Sequence, residues 1–169
     1  LKQYREYNLP FPIAGGVMDT AGFWAAGIDS LSGHWQSLWY HGLTVPASAA
    51  FTKRFSDKHG LPPENQAWGD YVAMKILLQG IAETKSTDSM KLVEYFEKGP
   101  SFDILKARKG TFRVWDHQLL QEMYVVRVKD KTKMKDKWDI FDIVQPVPGP
   151  NESLELIQPT QAENPCKMA

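Results

Sequence analysis

The chain has 169 residues, 43% of them hydrophobic and 24% charged, with 20 Lys and Arg balancing 20 Asp and Glu. This is a globular composition with length for an ordinary core, and its zero net charge speaks against a nucleic-acid surface, which needs a basic excess. No apolar run approaches the roughly 18 residues of a membrane span, and the polar opening "LKQYREYNLP" does not read as a secretory leader.

Residues 1–9 read as the end of a helix with Leu1, Tyr4 and Tyr7 on one face, stopped by "NLP". Such a beginning fits either the loss of a short polar leader or the later part of a longer protein. "FPIAGG" (11–16) is a short apolar strand that leaves through two glycines, and "DTAGFWAAG" (19–27) is a short helix capped by Asp19 or Thr20. "GHWQSLWYHG" (33–42) reads as a second strand, with Trp35, Ser37 and Trp39 on one side and Gln36, Leu38 and Tyr40 on the other. Pro46 opens the next helix, which closes on Gly60.

The strongest helical pattern is 61–85, where Ala67, Tyr71, Met74, Leu78 and Ile81 form an inward stripe widened by Trp68 and Val72. "STD" (86–88) caps a further helix with Leu92, Val93 and Phe96 inward. After Gly99 the pattern turns to strands: "GTFRVW" and "MYVVRVK", separated by "DHQLLQE", and then "WDIFDIVQPV". From Pro148 the composition is that of an extended tail lying over the surface. Alternating strands and helices followed by strand returns indicate an α/β fold, and there is no internal repeat. The basic cluster at 129–137 is interrupted by Asp130 and Asp136 and reads as a solvated turn.

Asp116 beside His117 is the one pair that suggests catalysis. A dyad needs the carboxylate to hold the imidazole while the imidazole faces a nucleophile, and strand neighbours point to opposite faces. No serine elbow or reactive cysteine completes the set, so the expectation is a non-enzymatic turn. His34, His41 and His59 lack metal-ligand spacing, so no metal or other cofactor is expected. Cys166 is the sole cysteine, which excludes an internal disulfide; it is either an incidental thiol or one whose partner lies elsewhere. "AGGVMD" (14–19) lacks both GxGxxG and a Walker lysine, so it is either a tight strand exit or a ligand loop at the carboxyl end of a strand. The tryptophans read first as core, and those near glycine loops also suit the wall of a small-molecule pocket.

Three phrases, in order, carry a resemblance: "LKQYREYNLPFPIAGG", the stretch from "AAFTKRFSDKHGLPPENQAWGDYVAMKILLQG" through "STDSMKLVEYFE", and "GTFRVWDHQLLQEMYVVRVK". Together, over residues 1 to about 146, they resemble the carboxyl-terminal half of a type I periplasmic solute-binding protein of ABC importers, the branched-chain amino-acid-binding-like family. The resemblance implies part of a two-lobe fold with Rossmann-like layers, a mostly parallel sheet with returning strands, and a cleft that closes on a ligand about a hinge. Residues 1–40 would then lie in the second lobe, 41–108 would complete the first with helices, 109–146 would return to the second, and 147–169 would form the tail.

By the same resemblance, Val17, Met18 and Asp19 would meet one side of the ligand and Gln66, Trp68 and Asp70 the other, with Trp39 and Tyr40 where the chain crosses the hinge. Relatives that bind amino acids place an acidic residue where this chain has Val17 or Met18, so Asp19 is the candidate partner for an ammonium. Aromatic neighbours also allow an aromatic or apolar acid or amide. The implied partners are a small-molecule ligand, an ABC permease, and either a missing amino-terminal half or a second copy of the chain in a swapped dimer; the implied location is periplasmic. A ligand-sensing regulatory or receptor module of the same fold is the alternative.

Overall fold

Parallel pairing of Ala14–Val17 (β1) with His34–Ser37 (β2) begins the larger of two sheets in this computed structural model, which describes residues 1–17 and 20–164, Val17 by its backbone alone. The chain divides into two units, Leu1–Trp68 with Met123–Val147, and Gly69–Glu122 with the residues from Pro148 onward.

In the first unit the sheet order is β1-β2-β6-β7, where β6 is Met123–Val128 and β7 is Phe141–Val147. β6 runs antiparallel to both of its neighbours, so the sheet is mixed. Two glycines permit close approaches here. Gly33 sits at φ 87 where a Cβ would lie 2.2 Å from the Ile13 carbonyl oxygen, and a Cβ on Gly15 would lie 2.6 Å from the Trp35 ring. Pro146 is tolerated because β7 is an edge strand with a free side.

The helices of this unit are Lys2–Glu6 (α1), Thr20–Ala26 (α2) and Pro46–His59 (α3). The proline stands at the start of α3, where its missing N–H costs nothing, and Gly60 ends it in the left-handed region at φ 73 with its N–H on the Ser56 carbonyl at 2.8 Å. The core is aromatic, with Trp39, Tyr40, Phe51, Trp68 and Phe141 each at most 5% exposed. The strand expected over 33–42 stops at Ser37, and Trp39 and Tyr40 are both buried on the stretch beyond it.

The division between units falls inside helix α4, Asn65–Thr84. The second unit continues with α5 (Ser89–Glu97) and the three-stranded sheet β3 (Ser101–Phe102), β4 (Gly110–Phe112) and β5 (Leu119–Leu120). As expected, Asp88 caps α5, its carboxylate accepting the Lys91 N–H at 3.0 Å. Phe96, Phe102 and Phe112 form a ring cluster with centroids 5.3 to 6.0 Å apart.

The phase of α4 differs from the expected stripe. Tyr71, Met74 and Leu78 of the expected stripe are exposed, by 37%, 54% and 58%, while Trp68 and Val72, which widened it, are buried as expected, together with Ile76. The helix is apolar around most of its circumference, so its periodicity identified a helix without choosing the face.

The two strand runs that flank "DHQLLQE" do not pair with each other. "GTFRVW" folds back on the two-residue β5, and β6 joins the other sheet. The exit is pinned by Lys106, only 5% exposed, whose Nζ donates to Gln121 Oε1 at 2.8 Å and to the Glu122 carbonyl at 2.6 Å. Glu122 accepts the Ala107 N–H in turn at 3.1 Å. The tail is anchored rather than merely extended. Leu154–Ile157 makes a 3-10 turn, and Arg113 holds Glu155 at 2.5 Å and the Pro159 carbonyl at 3.1 Å.

Candidate functional site

In an open α/β sheet, ligands bind beyond the carboxyl ends of parallel strands. Here those ends are Val17 and Ser37, directly opposite each other in register. Met18 and Asp19 lie outside the described residues, so of the first expected contact set only the backbone position of Val17 is seen, closing β1.

The exit of β2 is fixed by a buried polar network. Ser37 Oγ donates to the Trp39 carbonyl at 2.8 Å, and the Trp39 N–H donates to Asn65 Oδ1 at 3.0 Å. The Trp39 indole N–H reaches Ser48 Oγ at 3.0 Å. Asn65 and Ser37 also share a longer bond of 3.4 Å. Ser37, Ser48 and Asn65 are buried, so each bond removes a polar group that would otherwise be stranded. The network ties the end of β2 to the first turns of α3 and α4. Ser37 in an apolar run and Asn65 before a helical pattern were the only sequence signals of it.

Of the expected site residues, the structure brings Trp39 and Trp68 together. Their rings are parallel, with centroids 6.3 Å apart, and Phe51 meets Trp39 edge-on at 5.8 Å. Both tryptophans are closed off from solvent. Tyr40 is also buried: its hydroxyl donates to the Trp138 carbonyl at 3.0 Å and accepts the Phe141 N–H at 3.2 Å. Burial pushes its pKa well above the ordinary phenol value. Gln66 and Asp70 lie exposed on α4, and the Gln66 N–H is capped by Glu64 at 2.8 Å.

Further openings lie in the first unit, one of about 570 Å³ beside Tyr4, Arg5, Asn8 and His34. A pocket of about 400 Å³ is lined by Gly42, Thr44, Lys129, Lys135, Asp139 and Asp142, among others. Its charges are already paired, with Lys129 Nζ at 2.5 Å from Asp139 and 3.7 Å from Asp142. Burial acts to raise the Asp139 pKa, but the Lys129 ammonium and the Lys135 N–H outweigh it and hold the carboxyl below its usual range. A second opening of similar size adjoins His41.

Asp116 and His117, in the second unit, do not pair with each other. Asp116 takes a two-pronged salt bridge from Arg113 and accepts the Gln118 N–H at 3.1 Å. His117 sits in the left-handed region at φ 54 and contacts Glu97 at 2.9 Å. With its carboxylate committed to Arg113, the pair lacks the hydrogen bond a dyad requires. Among the described residues there is no group of three His, Cys, Asp or Glu that could hold a metal ion, and no helix long and apolar enough to cross a membrane.

Comparison with known proteins adds to this geometry. The family model described as "Periplasmic binding protein" matches residues 1–133. A branched chain amino acid ABC transporter periplasmic ligand-binding protein from Burkholderia xenovorans LB400 is 31% identical, with a TM-score of 0.75 over 86% of this chain and 39% of that one. An amino acid ABC transporter substrate-binding protein from Pseudomonas fluorescens Pf-5 shares the fold with a TM-score of 0.77, at 22% identity and the same coverage, 86% and 39%. A periplasmic binding protein from Burkholderia mallei is 26% identical, with a TM-score of 0.70 over 79% of this chain and 35% of that one. The chain thus spans well under half the length of these structures. No curated protein matches it.

Proposed function

The chain belongs to the periplasmic binding protein family, and from that premise we propose that it is part of the solute-binding component of an ABC importer, located in the periplasm. It captures a small metabolite in a cleft by hinge closure and makes no covalent change to it. The observation that carries this reading is the parallel β1–β2 pair, whose carboxyl ends at Val17 and Ser37 lie side by side in register. In this reading Val17, Met18 and Asp19 meet one side of the ligand and Gln66, Trp68 and Asp70 the other, with Trp39 and Tyr40 bracing the chain where it crosses. Asp19 would neutralise an ammonium, because a charged amine in a cleft needs a partner. The ligand class is an amino acid, or an aromatic or apolar acid or amide.

Its partners would be an ABC permease and a further α/β segment, either an amino-terminal half or a second copy. Two features support the need for such a segment. β1 is a sheet edge with exposed Ala14, Gly15 and Gly16, and α4 exposes Met74 and Leu78.

The test is a thermal-shift screen of the full-length protein against amino acids and small apolar acids. A ligand at 100 times its Kd should stabilise by about 2.7 kcal/mol, and Asp19→Asn should weaken an amino-acid ligand more than an acid without an amine. If no small molecule in the screen stabilised the protein, the cleft would have to be abandoned.

A further inference from the structure

We propose that the loop 103–107 is a latch on the point where the chain leaves the second unit, closed by reciprocal bonds with Glu122 and tightened as protons are withdrawn. The loop follows β3 and leads to β4, and Glu122 is the last residue of the unit before the chain passes to Met123.

Local chemistry shapes the latch. Asp103 Oδ1 accepts the Leu105 N–H at 3.0 Å, and Asp103 Oδ2 accepts from Lys75 Nζ of α4 at 2.6 Å. Leu105 stands in the left-handed region at φ 60, a conformation that leucine adopts rarely. Ile104, Leu105 and Lys106 are all buried. Lys106 Nζ donates to Gln121 Oε1 at 2.8 Å and to the Glu122 carbonyl at 2.6 Å, and the buried Glu122 carboxylate accepts the Ala107 N–H at 3.1 Å. Neither side can leave alone. Withdrawing Lys106 leaves the Glu122 carboxylate uncompensated, and withdrawing Glu122 strands the ammonium and the Ala107 N–H. The two therefore part together, in one local opening.

That opening releases two costs, the left-handed leucine and the desolvated ammonium, which makes the latch a weak point within a packed unit. Glu122 is the charge that faces the ammonium and partly offsets its burial. Of the other charged groups along the loop, Asp103 is held by Lys75 with Lys109 beside it, and Arg108 donates to the Gly149 carbonyl at 3.4 Å. Burial outweighs Glu122 and lowers the Lys106 pKa to about 7, whereas an exposed lysine keeps its proton to about 10.4. Opening thus takes up a proton between those values, so a rising pH opposes it. Below pH 7 both forms are charged, and pH has no further hold. The bearing of the latch on ligand capture rests on the hinge reading above.

The test is amide hydrogen exchange of the full-length protein by NMR, corrected for intrinsic rates, with the Lys106 side-chain carbon shifts followed in the same pH series. No ligand is needed, so the latch and the solute-binding reading fail separately. At pH 7 the Ala107 amide should exchange at least about tenfold faster than that of Ile76, buried in the middle of α4. Its protection should then rise by up to about tenfold per pH unit. Lys106→Met should abolish the rise. Glu122→Gln keeps an acceptor for Ala107 but removes the charge, and should move the onset of the rise to lower pH. The proposal is overturned if Lys106 titrates near 10.4, if Ala107 exchanges no faster than Ile76, or if the rise survives in Lys106→Met or keeps its onset in Glu122→Gln.

Discussion

Replacing Asn65 by alanine tests whether the exit of β2 is held by its polar network or merely by aromatic packing. Asn65 is 5% exposed, and its Oδ1 is the acceptor for the Trp39 N–H at 3.0 Å. Truncation strands that N–H in a site where Trp39 is completely buried, so water cannot replace the lost bond without opening the core. Ser37 is spared, because its hydroxyl keeps the Trp39 carbonyl at 2.8 Å. The loss includes that buried donor, a penalty of about 2 kcal/mol. With a urea slope of about 2 kcal/mol per molar, the unfolding midpoint should fall by about 1 M. Tryptophan fluorescence reports it directly, since Trp39 and Trp68 stack beside the substituted residue. Ser37→Ala should couple to Asn65→Ala by at least about 0.5 kcal/mol in a double-mutant cycle, because the two share a network. A midpoint unchanged in Asn65→Ala, with the two substitutions additive, would show that aromatic packing alone holds the exit.

At His117 the backbone is in the left-handed region, so His117→Gly should be tolerated, whereas His117→Val should destabilise by about 1 to 2 kcal/mol in the same urea assay; equal midpoints would refute the strain. Thermal stability should fall as pH drops from 6.5 towards 4, because His41 is neutral when folded down to about 4 while the unfolded imidazole already binds a proton at about 6.5; His41→Phe should flatten that limb, and an identical profile would contradict the depressed pKa. Lys106, lowered by burial to about 7, acts in a higher window. The unfolded ammonium keeps its proton to about 10.4, so stability should rise from pH 7 to 10 and the rise should vanish in Lys106→Met. Leu78→Lys, on the exposed face of α4, should leave the chain's stability within about 0.5 kcal/mol in the urea assay; a large loss of stability would mean that the face is packed.

Local chemistry was the most readable part of the sequence. Pro46 and Gly60 mark the two ends of α3, and Asp88 caps α5, because a helix end needs particular residues whatever surrounds it. The resemblance of three phrases to the solute-binding proteins also agrees with the family match over residues 1–133. Less readable were features that depend on distant neighbours. The two strand runs on either side of "DHQLLQE" do not pair with each other: β4 pairs with β5, and β6 joins the other sheet. Trp39 and Tyr40 were placed on opposite sides of one strand, and both instead turn into the core beyond Ser37.

The sequence by itself determined the order and kind of most elements, the family, and the weakness of Asp116 and His117 as a catalytic pair. Periodicity, caps and adjacency are properties of the local chain. The tertiary structure decided which face of α4 is buried, which strand β6 pairs with, and that Ser37, Ser48 and Asn65 brace the β2 exit. Those outcomes depend on which polar groups are desolvated together, and only the packed neighbours set that.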